Sequence, residues 1–302
     1  MSKLVPSISR VALEDIQQRL TSPKSTQKRL PFSVRYPHLK PYILFARQTY
    51  TSTKHALNRS IARTIDKTSL PHRIHKHQSV LRRTLGKSDA RLQENKITNL
   101  AKAIATIDGV IIQPGQTFSL WSLVGRPSAK KGYVNGMLLS KGQVIEGLGG
   151  GLCQLANLLH WMFLHGPLQI VERYHHSLDV FPDSGRTIPF GSGATILYNF
   201  IDLKAKNTSK YPLQIRLWLT EDKLIGDLRT TSPQVDSYNV RETDHCFVQF
   251  QDTWYRYNRL SRVSRLHNAK QVSELAVTNL APVLYKVTGL GLKRKGYTVI
   301  KL

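Results

Sequence analysis

The 302 residues, 40% of them hydrophobic, are enough to bury the core of one large domain or two ordinary ones, which excludes general disorder. Forty-four Lys and Arg against 19 Asp and Glu give a formal net charge of +25, so the partners to expect are anionic: nucleic acid, acidic lipid or cell-wall polymer. The two cysteines, Cys153 and Cys246, lie far apart, which excludes a disulfide framework and a zinc site built on paired thiolates, and leaves room for one disulfide.

Met1 to Leu20 holds Glu14, Asp15 and Arg19 and no apolar stretch resembling a signal-peptide core. No apolar run approaches the ~20 residues of a membrane span. The expectation is a cytoplasmic chain, with association to an anionic membrane surface as its one link to lipid. Residues 1–90 carry eighteen Lys and Arg against four Asp and Glu, a net of +14, and read as a basic, partly helical N-terminal arm. Within it, Thr21 to Arg29 has loop composition. Pro41 to Lys67 has helical composition with a basic face of Arg47, Lys54, Arg59 and Arg63, suited to solvent or to an anionic surface. His72, His75 and His77, interleaved with Arg73 and Lys76, suit solvent or an anion better than a metal. No named nucleic-acid-binding module is visible, so nucleic acid is not the expected partner.

A core domain is expected over residues 91–235. Ile97, Leu100, Ala101 and Ile104 fall at i, i+3, i+4 and i+7, which predicts a helix over Asn95 to Ile107 with one apolar stripe. Gly109 to Ile112 reads as a strand, and Pro114-Gly115 as a turn. Five glycines between Gly142 and Gly151 require a tight, backbone-exposed loop. Behind them Leu155, Leu158, Leu159, Met162 and Phe163 predict a helix from Cys153 to His165, stopped by Gly166-Pro167. Gly193 to Phe200 and Tyr211 to Thr220 read as β-rich. Residues 236–302 read as a small β-rich C-terminal extension with short strands at Cys246 to Phe250, Thr253 to Tyr257 and Tyr297 to Leu302. Without regular strand-helix-strand alternation, the fold class is α+β: a mostly antiparallel sheet, a Gly-rich loop leading into a central helix, and a basic helical N-terminal region.

A thiol becomes a nucleophile as the thiolate, and the N–H groups and dipole at a helix start lower its pKa. Cys153 sits where the central helix begins, behind glycines whose N–H groups are placed to donate to an oxyanion. A buried structural cysteine in a glycine turn is the competing reading. A reactive cysteine needs a base, and His175 and His176, in Glu172-Arg173-Tyr174-His175-His176-Ser177, lie at a distance along the chain that permits a contact. His160 and His165 are five apart on the helix, off the spacing that shares a metal. Asp179, Asp183 and Asp202 are placed either to orient a histidine or to cap a turn. No metal and no cofactor is expected.

These features occur in an order that resembles the VanW family: Pro114-Gly115-Gln116-Thr117-Phe118-Ser119 with Val124-Gly125, then Gly149-Gly150-Gly151-Leu152-Cys153-Gln154, His176-Ser177, and Asp202-Leu203-Lys204-Ala205-Lys206-Asn207 before Tyr211-Pro212. The resemblance spans about Gln113 to Leu219 and implies a bacterial cell-wall role linked to glycopeptide resistance, with peptidoglycan or its precursors as partner. Some members look like L,D-transpeptidases. By motif position Cys153 would then be the nucleophile and His176 its base. Gly149, Gly150, Gly151 and Gln154 would bind substrate and oxyanion, and His175, Ser177 and Asp202 would be orienting residues. Many members carry hydroxyl residues after the Cys-Gln pair, where this chain has Ala156 and Asn157, and an acidic residue where it has Gly193. Export signals and wall-binding domains of secreted members are not seen. The resemblance leaves the enzyme question open between a cysteine acyltransferase and a non-catalytic accessory or binding protein for anionic wall precursors.

Overall fold

The structure is a computed structural model. It describes residues 8–22, 37–39, 42–43, 45–46, 49–50, 53, 58–82, 90–140, 143–175, 178–180, 182–183, 187–233, 236–266 and 270–302. In chain order its elements are α1 (Arg10–Thr21), β1 (His72–Val80), α2 (Ala90–Ile107), β2 (Ile111–Ile112), β3 (Thr117–Ser119), α3 (Leu120–Val124), β4 (Asn135–Ser140), β5 (Gln143–Leu148) and α4 (Cys153–Leu164). Then follow β6 (Leu168–Glu172), β7 (Lys204–Asn207), β8 (Leu213–Leu219), β9 (Lys223–Thr230), β10 (Ser237–Phe250), β11 (Thr253–Arg265), β12 (Gln271–Pro282), α5 (Gly289–Arg294) and β13 (Thr298–Lys301). The class is α+β, as expected.

One antiparallel sheet runs β1-β9-β8-β2, and α4 packs against β1 and β9 while α2 packs against β8. Sequence periodicity explains this core. Leu155, Leu158, Leu159, Met162 and Phe163 of α4 are all buried, as are Leu213, Ile215 and Leu217 on β8. On α2 the buried stripe is Leu100, Ala103, Ile104 and Ile107; Ala101, expected inside, is exposed, because the helix turns its seam one residue further. A three-stranded sheet β3-β7-β6 and the hairpin β4-β5 complete this region.

In a second sheet, β12-β11-β10-β13, strands β10 and β11 are much longer than the expected short ones, β13 is short, and the β10–β13 pair is parallel. Helix α1 lies on it, placing Ala12 and Ile16 against Cys246, Val248 and Tyr257. Ser9 caps α1 by accepting from the Ala12 N–H at 3.2 Å, and its own N–H donates to Asp244 at 2.7 Å.

The expected arm over residues 1–90 is therefore not separate from the rest. Strand β1 pairs along its length with β9, and α1 is part of the C-terminal layer because its apolar face of Ala12 and Ile16 needs a partner. Much of 41–57 lies outside the described residues, with Arg47 and Lys54 among them. Residues 58–67, expected to be helical, instead run extended, with bridges from Ile61 to Thr117 and from Ile65 to Val110, because Ile61 and Ala62 are drawn into the core. The stretch 193–200 is likewise a loop with isolated bridges and a turn rather than a strand. Cys153 and Cys246 are both free thiols. Among the described residues no helix is long and apolar enough to cross a membrane.

Candidate functional site

Two segments meet over the first turn of α4. From one side comes the glycine turn between β5 and α4. Gly150 touches backbone: a Cβ there would lie 2.1 to 2.6 Å from atoms of Gly136 and Met137. Gly151 has φ +95°, and a Cβ would meet the stem of Lys96 at 2.2 Å. Asn99 of α2 locks the turn, donating to the Gly150 carbonyl at 2.9 Å and the Val134 carbonyl at 3.0 Å and accepting from the Val134 N–H at 2.9 Å. The helix can begin only where this left-handed backbone ends, which places Cys153 at its first position.

From the other side comes the loop 190–197. Cys153, Asn157 and His160 fall at i, i+4 and i+7, so they share one face of α4. The Asn157 side-chain oxygen accepts the Ala194 N–H at 2.7 Å. Its amide also fills the space beside Gly193, where a Cβ would lie 2.5 Å from that same oxygen. Asn157 and Gly193 are thus one coupled feature. Buried His160 donates from Nδ1 to the Ser192 carbonyl at 2.7 Å, and burial pushes its pKa down to about 3, so it is neutral. Its Nε2 is buried and has no hydrogen-bond partner among the described residues. Arg173 donates to the Gly193 carbonyl from Nε at 3.0 Å and from Nη2 at 2.7 Å, and also to the Gly191 carbonyl; desolvation lowers its pKa to about 10. With these grips the loop directs the Ile196 N–H at the Cys153 sulfur.

Cys153 is half-buried, and desolvation raises its thiol pKa; the N–H groups of Ile196 and of Cys153 itself pull the other way without prevailing. The expectation that the helix start would depress this pKa is corrected: loss of water outweighs the helix terminus, and the resting group is a neutral thiol. The oxyanion donors also differ from expectation. The Gly149 N–H is spent on the Val134 carbonyl, that of Gly150 on Gly147 and that of Gln154 on Gly151, each at 3.0 Å. Among the described residues this leaves Gly151 of that set, joined by Ile196. The Gln154 side chain donates away from the site, to Ser79 at 2.9 Å and the Val80 carbonyl at 2.8 Å on β1.

His176 and Ser177 lie outside the described residues. Their neighbours are pinned: Tyr174 bridges to Thr195, and Asp179 bridges to Val283. His175 is exposed; partial desolvation and the charges of Arg173 and Arg19 lower its pKa. Asp202 orients no histidine among the described residues. It is buried beneath α3, where it accepts from Ser119 at 2.6 Å and from the N–H groups of Trp121 at 3.1 Å and Leu203 at 2.8 Å, and burial raises its pKa. Asp179 and Asp183 pair with Arg256 of β11, at 3.5 Å and 2.5 Å.

The thiol opens into a cleft of about 280 Å³ lined by Trp121, Arg126, Leu138, Leu148, Tyr198 and Phe200 among others. A second hollow of about 170 Å³, lined by Glu172, Asp202 and Lys204, shares Trp121 and Phe200 with it. Asn157, Arg173 and His160 were not singled out as site residues from the sequence; the signal that could have found two of them is their spacing from Cys153 along one helix face. Among the described residues no group of three or more His, Cys, Asp or Glu is arranged to hold a metal ion.

Comparison with known proteins identifies the lineage of the chain. A family profile described as "VanW like protein" matches residues 95–229, which contain both segments around Cys153. The chain is 31% identical over 226 residues to the vancomycin B-type resistance protein VanW of Enterococcus faecalis, covering 74% of this chain and 82% of that one. It is 33% identical over 118 residues to the uncharacterized protein YoaR of Bacillus subtilis, covering 39% of this chain and 37% of that one. No solved structure matches. The identity exceeds 30% and extends over most of the enterococcal protein, and on that ground the chain belongs to the VanW family.

Proposed function

We propose that the protein is a cysteine-dependent acyltransferase of L,D-transpeptidase type acting on peptidoglycan stem peptides, in the setting of glycopeptide resistance. The observation that carries this reading is Cys153 at the mouth of a largely apolar cleft with a backbone N–H directed at its sulfur. The relative's name as a vancomycin resistance protein supports the setting. The basic N-terminal region fits an anionic wall or membrane surface.

Because the resting thiol is neutral, the reaction needs a base at the moment of attack. His176 is assigned that role by its place in the motif. It takes the thiol proton as sulfur bonds to the carbonyl carbon between the stem's L-centre and its terminal D-residue. The tetrahedral oxyanion accepts from the N–H groups of Ile196 and Gly151. Collapse breaks the carbon–nitrogen bond, and the departing amine takes the proton from the imidazolium, leaving a thioester on Cys153. An acceptor amine then attacks the thioester, loses a proton to the imidazole, and the sulfur leaves to be reprotonated.

The neutral thiol also favours a second reading, an accessory protein that binds wall precursors without turning them over. Incubation with purified disaccharide-tetrapeptide muropeptides, read by mass spectrometry, separates the two. The acyltransferase yields a Cys153 thioester and cross-linked dimers, and Cys153→Ala yields neither. Dimers formed equally by Cys153→Ala would refute the assignment; binding without thioester would select the accessory reading.

A further inference from the structure

The cleft beside Cys153 holds one charged side chain among its lining residues, Arg126. The rest of the wall is apolar or aromatic: Trp121, Leu138, Leu148, Tyr198 and Phe200 among others. Trp121 and Tyr198 are fixed edge to face, with ring centroids 5.5 Å apart, so this wall is preformed. Elsewhere the described arginines of this region have partners. Arg173 is spent on carbonyls, Arg216 on Asp108 at 2.8 Å, Arg91 on Glu146 at 2.6 Å. Arg126 is exposed and makes no hydrogen bond or ion pair among the described residues. The Lys131 ammonium, 2.9 Å from the position of a Cβ on Gly125, is not among the residues that line the cleft.

A lone guanidinium facing an apolar cleft suits one planar anion. A carboxylate accepts two parallel N–H bonds from it, while flanking methyl and methylene groups meet the aromatic wall. A diphosphate carries more charge than this lining can match and would leave anionic oxygens against hydrocarbon. We propose that Arg126 anchors the free C-terminal carboxylate of the donor peptide, so that the scissile carbonyl one residue back is presented to the Cys153 sulfur. This inference rests on the acyltransferase reading and names the group by which the donor is recognised: a peptide ending in a free acid, with a small apolar terminal residue.

The test is binding to the full-length Cys153→Ala protein, followed by tryptophan fluorescence and calorimetry. The probes are the tetrapeptide L-Ala-γ-D-Glu-L-Lys-D-Ala, its C-terminal amide, and inorganic pyrophosphate. The free acid is expected to bind about threefold to tenfold more tightly than the amide, the range for a partly exposed bidentate pair. In Arg126→Gln that preference vanishes while amide affinity is kept; Arg126→Lys recovers part of it. Because Arg126 makes no hydrogen bond or ion pair among the described residues, both variants are expected to keep the melting temperature of the parent. Equal preference in the parent and Arg126→Gln overturns the anchor, and so does pyrophosphate displacing the peptide through Arg126 more strongly than the free acid binds. The two proposals fail separately: a wild-type protein that forms thioesters from acid and amide alike loses the anchor and keeps the transferase. An acid preference that depends on Arg126, with no thioester in the wild type, does the reverse.

Discussion

The two polar faces of α4 carry histidines in opposite circumstances. On the face of Cys153, His160 is buried and hydrogen-bonded to the loop that covers the thiol. On the face toward β1, His165 stacks on His75 with ring centroids 4.2 Å apart, His77 lies 6.1 Å from Trp161, and Gln154 bonds to the strand. The second face has more titratable groups and the less promising chemistry. Its rings pack on one another, and burial together with mutual repulsion holds His75 and His77 down to about 4. The lesson is that histidine density does not mark the site; a polar side chain spent on positioning backbone over a thiol does.

The largest expected effect is on the site face. Asn157→Leu removes the acceptor for the Ala194 N–H and should cost about 2–3 kcal/mol in urea unfolding, because a buried donor is left unpaired. It should also change the pH profile of Cys153 alkylation by iodoacetamide, since the loop that aims the Ile196 N–H loses its grip. In the parent that rate should rise through the alkaline range, as a raised thiol pKa requires; a plateau below pH 7 would contradict the neutral resting thiol. His160→Phe comes next, at about 1–2 kcal/mol for the orphaned Ser192 carbonyl. Its effect on alkylation should exceed that of His165→Phe, and the reverse order would break the contrast between the faces.

Acid sharpens the contrast from the other side. His75 and His77 titrate near 4 when folded against 6.5 in the unfolded chain. Between those values the unfolded state binds more protons, so stability falls as pH drops from 6.5 toward 4 and levels off below. Discounted for solvent screening, each contributes about 1 kcal/mol. The double variant His75→Gln with His77→Gln should flatten that slope and leave Cys153 alkylation untouched. The smallest effect belongs to Gln154→Ala, about 0.5–1.5 kcal/mol for bonds to β1 at a partly exposed position.

Much of the layout is legible in the sequence where it rests on local pattern. The stripes of α2 and α4, the alternation of β8, and the glycine turn before Cys153 are set by residues a few positions apart. The covering loop is not. Gly193 to Phe200 has strand-like composition, yet its conformation is fixed by Asn157, His160 and Arg173, from 18 to 37 residues upstream of the groups they bind. The same holds for Asp202, whose acid looks available until Ser119, 83 residues away, is seen to occupy it. Arg126 carries no local signal at all, because its meaning lies in the apolar residues that line the cleft with it. The pairing of β1 is hidden for a related reason: its basic, histidine-rich sequence gives no local sign that it forms the edge strand beside β9.

Arg256 offers a consequence for how the protein comes into being. Its guanidinium is clasped between the rings of Phe190 and Phe247, at 4.7 and 5.2 Å, while it binds Asp183. Asn258 beside it holds the Phe190 carbonyl at 2.8 Å. The sheet carrying both is itself closed onto the beginning of the chain by Tyr257 and Asp15, 242 positions apart, at 3.0 Å. The covering loop is therefore held from two directions: Asn157, His160 and Arg173 reach residues 191–194 from 18 to 37 positions upstream, while Phe190 at its start is clasped by β11, through contacts of long sequence separation that form late. A nascent chain would carry a formed α4 with its upstream grips on residues 191–194, and the clasp on Phe190 would close only when the C-terminal strands dock.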